Sequence, residues 1–287
     1  LSYQDQYDRD YYQPYNETSN PEGYQNDNQA RIREHTLLKN AIEYIANEVP
    51  ENLDIDSNSD GYIDNVTFLV SGSPTGWSDL LWPHRWSLTT YDVYINDSKV
   101  DAYNLNLLSG NPSYFTVGTL CHEFFHSLGA PDLYHYVDSP APTPVGGWDV
   151  MEKTTDTPQY TSAWMKYRYA NWLDCPLIES GGTYSLNPLQ KQENSCYIIK
   201  SSYSESQLFA LEYRKQEGIY ESNLPGSRDG LLVYRINLDI NNNGIIDTTE
   251  VDESWNQIIG SRSRPHSVTN SFILMRPWRY NFPPMPG

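Results

Sequence analysis

The sequence predicts an α+β protein whose last third is mostly β, and three observations carry that expectation. Apolar residues recur at helical spacing over 30–49 and again over 116–128. Between these stretches, and more densely after Gly181, come short runs of β-branched and aromatic residues bounded by Gly, Pro and Asn, the composition of strands and turns. The 287 residues suit one large domain or two modest ones, enough chain to bury a core of ordinary size. The character of the chain changes near Pro176, so the expected division is 1–175 and 176–287.

Taken in order, residues 1–30 are rich in Tyr, Asp, Asn and Gln with Pro14, Pro21 and Gly23, and read as irregular surface chain. Ile32, Leu38, Ala41, Ile42, Ile45 and Val49 then mark one amphipathic helix, which Pro50 stops because it brings no N–H to the ladder. Val66 to Val70 reads as a buried strand, and 71–112 as short strand pieces. A second helix runs from Ser113 or Thr116 to Leu128, with Gly129 as its stop. A third is expected over 162–172, and the clearest later strands are Tyr197–Lys200, Leu208–Tyr213 and Leu231–Ile236.

Charge excludes one class of partner. With 37 acidic against 19 basic side chains the net charge is −18, which would repel a phosphate backbone or an anionic membrane surface and keeps the protein solvated. No apolar run approaches the ~18 residues that span a bilayer. The chain opens on Leu1 with no cationic-then-apolar leader, and so reads as a processed or trimmed piece of a longer precursor. Its cysteines, Cys121, Cys175 and Cys196, are too few for a disulfide framework. Cys175 and Cys196 are either one bridge or two buried thiols, and Cys121 reads as a small residue on a buried helix face.

The second helix carries HEFFHSLGAPD from His122 to Asp132. At about 100° per residue His122 and His126 share one face, so both imidazoles can reach one ion, while Glu123 sits beside the pair. Val117, Leu120, Cys121, Phe124 and Leu128 fall on the opposite side, the expected docking face. Gly118 lies on the ligand face one turn earlier and leaves room there. Gly129 can take the left-handed backbone that turns the chain back, bringing Asp132 in as third ligand. Two imidazoles, a third protein ligand and an adjacent carboxylate are what a catalytic zinc needs, with Glu123 taking the proton of the attacking water and handing it to the leaving amine.

HEFFHSLGAPDLY, followed by GGWDVM at Gly146 to Met151, resembles the immune-inhibitor-A-like secreted zinc metallopeptidases, relatives of the metzincins. The likeness extends to DSNSDGYIDNV near Asp56, LWPHRW near Trp82, SAWMKY near Ser162, and FALEYRKQ with PGSRDGLLVYRI over 209–236. It implies a zincin-like catalytic domain built of a mixed twisted sheet, a backing helix and an active-site helix, truncated at its N-terminus and followed by a β-rich part. It also implies zinc on His122, His126 and Asp132, Glu123 as general base, Met151 as the methionine turn beneath the metal, and an extracellular enzyme made with a pro-segment. No Tyr stands two residues after Met151; Tyr134, Tyr136 and Tyr160 are the substitutes for a transition-state stabiliser, and Asp149 is a candidate for orienting the histidines.

Two segments have the spacing of calcium loops. One offers Asp239, Asn241, Asn243, Ile245, Asp247 and Glu250; the other offers Asp56, Asn58, Asp60, Tyr62 and Asp64, with Thr67 where a bidentate Glu would stand. Ion-free Asx-rich turns are the other reading of both. His84 in WPHRW reads as a hydrogen-bonded structural histidine or a transition-state donor; His35 and His266 read as packing or loop, and His135 lies close to Asp132 in sequence. Trp77, Trp82 and Trp86 pack, or line a groove.

The leading expectation is therefore a secreted, cell-surface or periplasmic zinc endopeptidase acting on proteins or peptides. Its rivals are a gluzincin-type peptidase with Glu152 as third ligand and a calcium-stiffened binding or adhesion protein without activity; the intact Glu123 speaks against the second.

Overall fold

The computed structural model describes residues 1–72, 79–108, 116–134, 145–225, 229–238 and 273–274. It is a mixed α+β chain with small sheets and few helices, divided into two compact units, Leu1–Ser127 and Leu128–Gly287.

In the first unit, helix α1 spans Asp27–Ile45 and starts where the Asn26 side chain accepts from the Gln29 N–H, satisfying one of the donors a helix start leaves open. Its buried face is Glu34, His35, Leu37, Leu38 and Ile42. Ile32, expected on the apolar stripe, is exposed, and two polar residues have gone inside instead. Strands β1 (Val66–Ser71), β2 (His84–Ser87) and β5 (Ala102–Leu108) form a sheet of order β1-β5-β2, while β3 (Tyr94–Ile95) and β4 (Ser98–Lys99) make a hairpin. The three-stranded sheet is mixed: β1 runs parallel to β5 with Val66 opposite Tyr103, and β2 antiparallel with His84 opposite Leu105.

Alternation along β5 sorts its side chains between two faces. Tyr103, Leu105 and Leu107 enter the core with Leu37, Leu38 and Ile42 of α1, each aliphatic side chain there worth about 1.5–3 kcal/mol of burial. Asn104 and Asn106 face the other way, also buried. Helix α2 (Val117–Ser127) packs against β5 and β2, and its Ser127 hydroxyl donates to Asn104 at 3.3 Å while accepting from Asn65 at 2.7 Å.

In the second unit, α3 (Ala163–Met165) starts where the Ser162 hydroxyl accepts from the Met165 N–H, and continues as a π-helical turn to Ala170. Strands β6 (Cys196–Lys200), β7 (Gln207–Arg214), β8 (Gly230–Asn237) and β9 (Ile273–Leu274) form an antiparallel sheet in that order. The segment before β6 runs beside it, with Ile178 N donating to Ile198 O and Ile198 N to Pro176 O. This pairing brings Cys175 to Cys196, and the two form a disulfide. On β7 the inward register is Leu208, Ala210, Glu212 and Arg214, so two charges occupy positions where alternation calls for apolar side chains.

Candidate metal centre

Helix α2 is preceded by Thr116, whose hydroxyl accepts from the Thr119 N–H at 3.0 Å, and its C-terminal end is turned by Gly129 at φ +86°. The left-handed glycine expected from the sequence is therefore present, in a conformation that costs a side-chain-bearing residue about 1–2 kcal/mol. The face of the helix that goes inside is Gly118, His122, Glu123 and Phe125. The expected docking face is corrected: Val117, Phe124 and Leu128 are 53, 47 and 44% exposed, and Cys121 is exposed as well. Periodicity identifies an apolar stripe, but here the face that carries His122 is the one turned inward.

The two imidazoles meet edge to face with their Nε2 atoms 3.1 Å apart. Two nitrogens bound tetrahedrally to one zinc at ~2.0–2.1 Å would stand ~3.3 Å apart, so the pair fits a shared ion. One ligand atom each from His122, His126 and Asp132 lies within 4.8 Å of the others, and among the described residues this is the group of acidic, His or Cys side chains so disposed. Glu152 is not in it, which favours Asp132 over the gluzincin alternative. The donor set, two ring nitrogens and one carboxylate, is one that zinc accepts with a position left for substrate or water.

Met151 is fully buried, its N–H donating to Asp149 at 2.9 Å and its carbonyl accepting from the N–H of Leu133, the residue after Asp132, at 2.9 Å. Asp149 was expected to orient the histidines. It holds the turn instead, accepting also from the Ser162 N–H and the Thr161 hydroxyl, and burial pushes its pKa up against the pull of these bonds. A second titratable cluster stands on β2 and α1. His84 bonds Glu34 at 3.0 Å and the Trp82 carbonyl at 2.6 Å, and Tyr103 donates a short bond to the same Glu34. The charge of Glu123 also acts on His84, favouring its protonated form. Of the readings offered for His84, the hydrogen-bonded one matches this geometry.

The loop 56–64 gives calcium no support. Asp56 accepts from the N–H groups of Asp60 and Gly61, Asp60 from Tyr62, and Asp64 from Ser57, so the carboxylates cap their own loop as Asx turns do. The other candidate loop, Asp239 to Glu250, and Trp77, His135, Tyr136 and His266 lie outside the described residues. Tyr160 packs under the Lys166 amine, 4.1 Å from its ring centroid, and Trp86 is 41% exposed.

Sequence reasoning missed the buried charges around Arg214. Glu212 and Glu221 bind this guanidinium, and it donates to the Trp148 carbonyl at 2.7 Å. The signal available was the placement of Glu212 and Arg214 on the inward register of a strand.

Residues 48–162 match the model of the immune inhibitor A peptidase M6 catalytic domain. Over these residues the chain is similar to the immune-inhibitor-A-like peptidases. The match covers under half of the chain but includes the HEFFH helix, Asp132 and the Met151 turn, and it makes this segment a metallopeptidase domain with protein as its substrate. No curated protein matches the chain. Among the described residues no helix is long and apolar enough to cross a membrane.

Proposed function

We propose that this immune-inhibitor-A-like chain is a secreted zinc endopeptidase in which His122, His126 and Asp132 hold the metal and Glu123 is the general base. The observation that carries the reading is the convergence of the three ligand atoms within 4.8 Å on the segment that the family model matches. A zinc ion held there would supply Lewis acidity toward water and toward a peptide carbonyl. Glu123, buried and adjacent to His122, accepts the proton of the attacking water and delivers it to the departing amine. Met151 closes the turn that follows the ligand segment. The Cys175–Cys196 disulfide suits an oxidising, extracytoplasmic compartment.

Digestion of casein by the purified chain tests this directly. The expected result is proteolysis that a chelator abolishes and zinc restores. Equal digestion by the Glu123→Ala protein would refute the enzymatic reading.

A further inference from the structure

The turn over 145–153 is held by buried side chains from far along the chain. Gly146 and Gly147 both take positive φ, 60° and 81°, leaving successive carbonyls for other groups to satisfy. Arg214, fully buried, donates to the Trp148 carbonyl. Gln159 donates to the carbonyls of Gly147, Asp149 and Lys153 at 3.1, 3.1 and 2.8 Å. Asp149, also fully buried, accepts from Met151 N through one oxygen, and from Ser162 N and the Thr161 hydroxyl through the other.

Arg214 is itself fixed by Glu221 through two bonds of 2.7 and 2.6 Å and by Glu212 at 3.0 Å. Those carboxylates reach back to the same segment: Glu221 accepts from Tyr160 N and Glu212 from Ala163 N. Tyr234 donates to Glu212 at 2.7 Å. The Met151 carbonyl, which receives the Leu133 N–H, links this network to the metal-binding segment.

We propose that Asp149 and Arg214 are positioning residues for Asp132, fixing through the Met151 carbonyl the backbone from which the third metal ligand extends. The inference rests on the reading of His122, His126 and Asp132 as a metal centre. It extends the metal-binding apparatus to β7, beyond the matched segment that ends at residue 162. A ligand carboxylate on a turn has its own backbone freedom, and bonds that orient ligands from behind are typically worth 10–100-fold in metal affinity. Asp149→Asn keeps the shape, but one carboxylate oxygen becomes an NH₂ group. Facing either Met151 N–H or the Ser162 and Thr161 donors, it sets donor against donor.

The test is the zinc dissociation constant of the full-length chain, measured by competition with a chromogenic chelator, alongside the visible spectrum of the cobalt-substituted protein. Asp149→Asn is expected to weaken zinc binding about 10–100-fold and to alter the cobalt spectrum. In an Asp132→Ala background the same substitution is expected to change zinc affinity no further, because the group it positions is already gone. Thr161→Val, which removes one bond and keeps the volume, decides the matter should Asp149→Asn not fold; its expected loss is about threefold, in keeping with a single bond. Wild-type zinc affinity in these variants with only a lower melting temperature would overturn the proposal, as would an undiminished loss in the Asp132→Ala background. Unchanged zinc affinity in Asp132→Ala alone would overturn the metal-centre reading, and this inference with it.

Discussion

His84 Nε2 lies 3.0 Å from Glu34 Oε1, while its Nδ1 lies 2.6 Å from the Trp82 carbonyl. Both partners only accept, so both ring nitrogens carry protons and the imidazole is a cation. Burial disfavours that charge, but Glu34 and the Trp82 carbonyl outweigh it and raise His84 to about 9. Burial likewise pushes Glu34 up, and His84 and Tyr103 pull it below its ordinary value.

The sign of the pH dependence follows. His84 has a raised pKa in the folded protein, so its contribution is complete below the ordinary value of 6.5, declines above it and is lost as pH passes about 9. Glu34, lowered, contributes above its ordinary 4.5 and loses that contribution as pH falls through its folded value. His84→Phe should therefore cost about 1–3 kcal/mol of unfolding free energy near pH 6, the scale for leaving the buried Glu34 carboxylate short of a partner. Urea unfolding of both proteins from pH 6 to 10 checks this: the gap should narrow through 6.5–9, and a gap that stays constant contradicts the assignment.

Glu123→Gln tests the proposed general base separately from the metal. The amide keeps the size of the side chain but cannot take a proton, so kcat on a peptide substrate should fall by about 10²–10⁴. Zinc content should remain that of the wild type, since the proposed ligands are His122, His126 and Asp132. A kcat within tenfold of wild type would remove Glu123 from its role.

The Cys175–Cys196 disulfide closes a 21-residue separation. A loop of that length limits the unfolded chain by about 3 kcal/mol. Replacing both cysteines with Ala should lower stability by that order in thermal unfolding, while zinc stoichiometry is unchanged. Equal melting temperatures would show that the pairing of 176–178 with β6 holds this region without the bridge.

Much of the scaffold was legible because its signals are local. The strands at 66–71, 196–200, 207–214 and 230–237 follow β-branched runs, and the ligand spacing on α2 follows from helical geometry and a stop glycine. What was not legible depends on partners distant in sequence. Val117, Phe124 and Leu128 form an apolar stripe, yet periodicity does not say which way a stripe faces, and here it is exposed. Glu34 and His35 sit within α1 on its buried side because His84, Tyr103 and Thr90 supply bonds from elsewhere. The role of Asp149 depends on Thr161 and Ser162, and no spacing rule joins these positions. Glu212 and Arg214 on one inward register were the visible hint of a buried ion network.

Metal analysis of the purified chain after zinc loading and removal of excess bears most directly on the central claim. One zinc per chain is expected in the wild type, and none in a protein carrying both His122→Ala and His126→Ala. A full equivalent of zinc in that double variant, or none in the folded wild type, would contradict it.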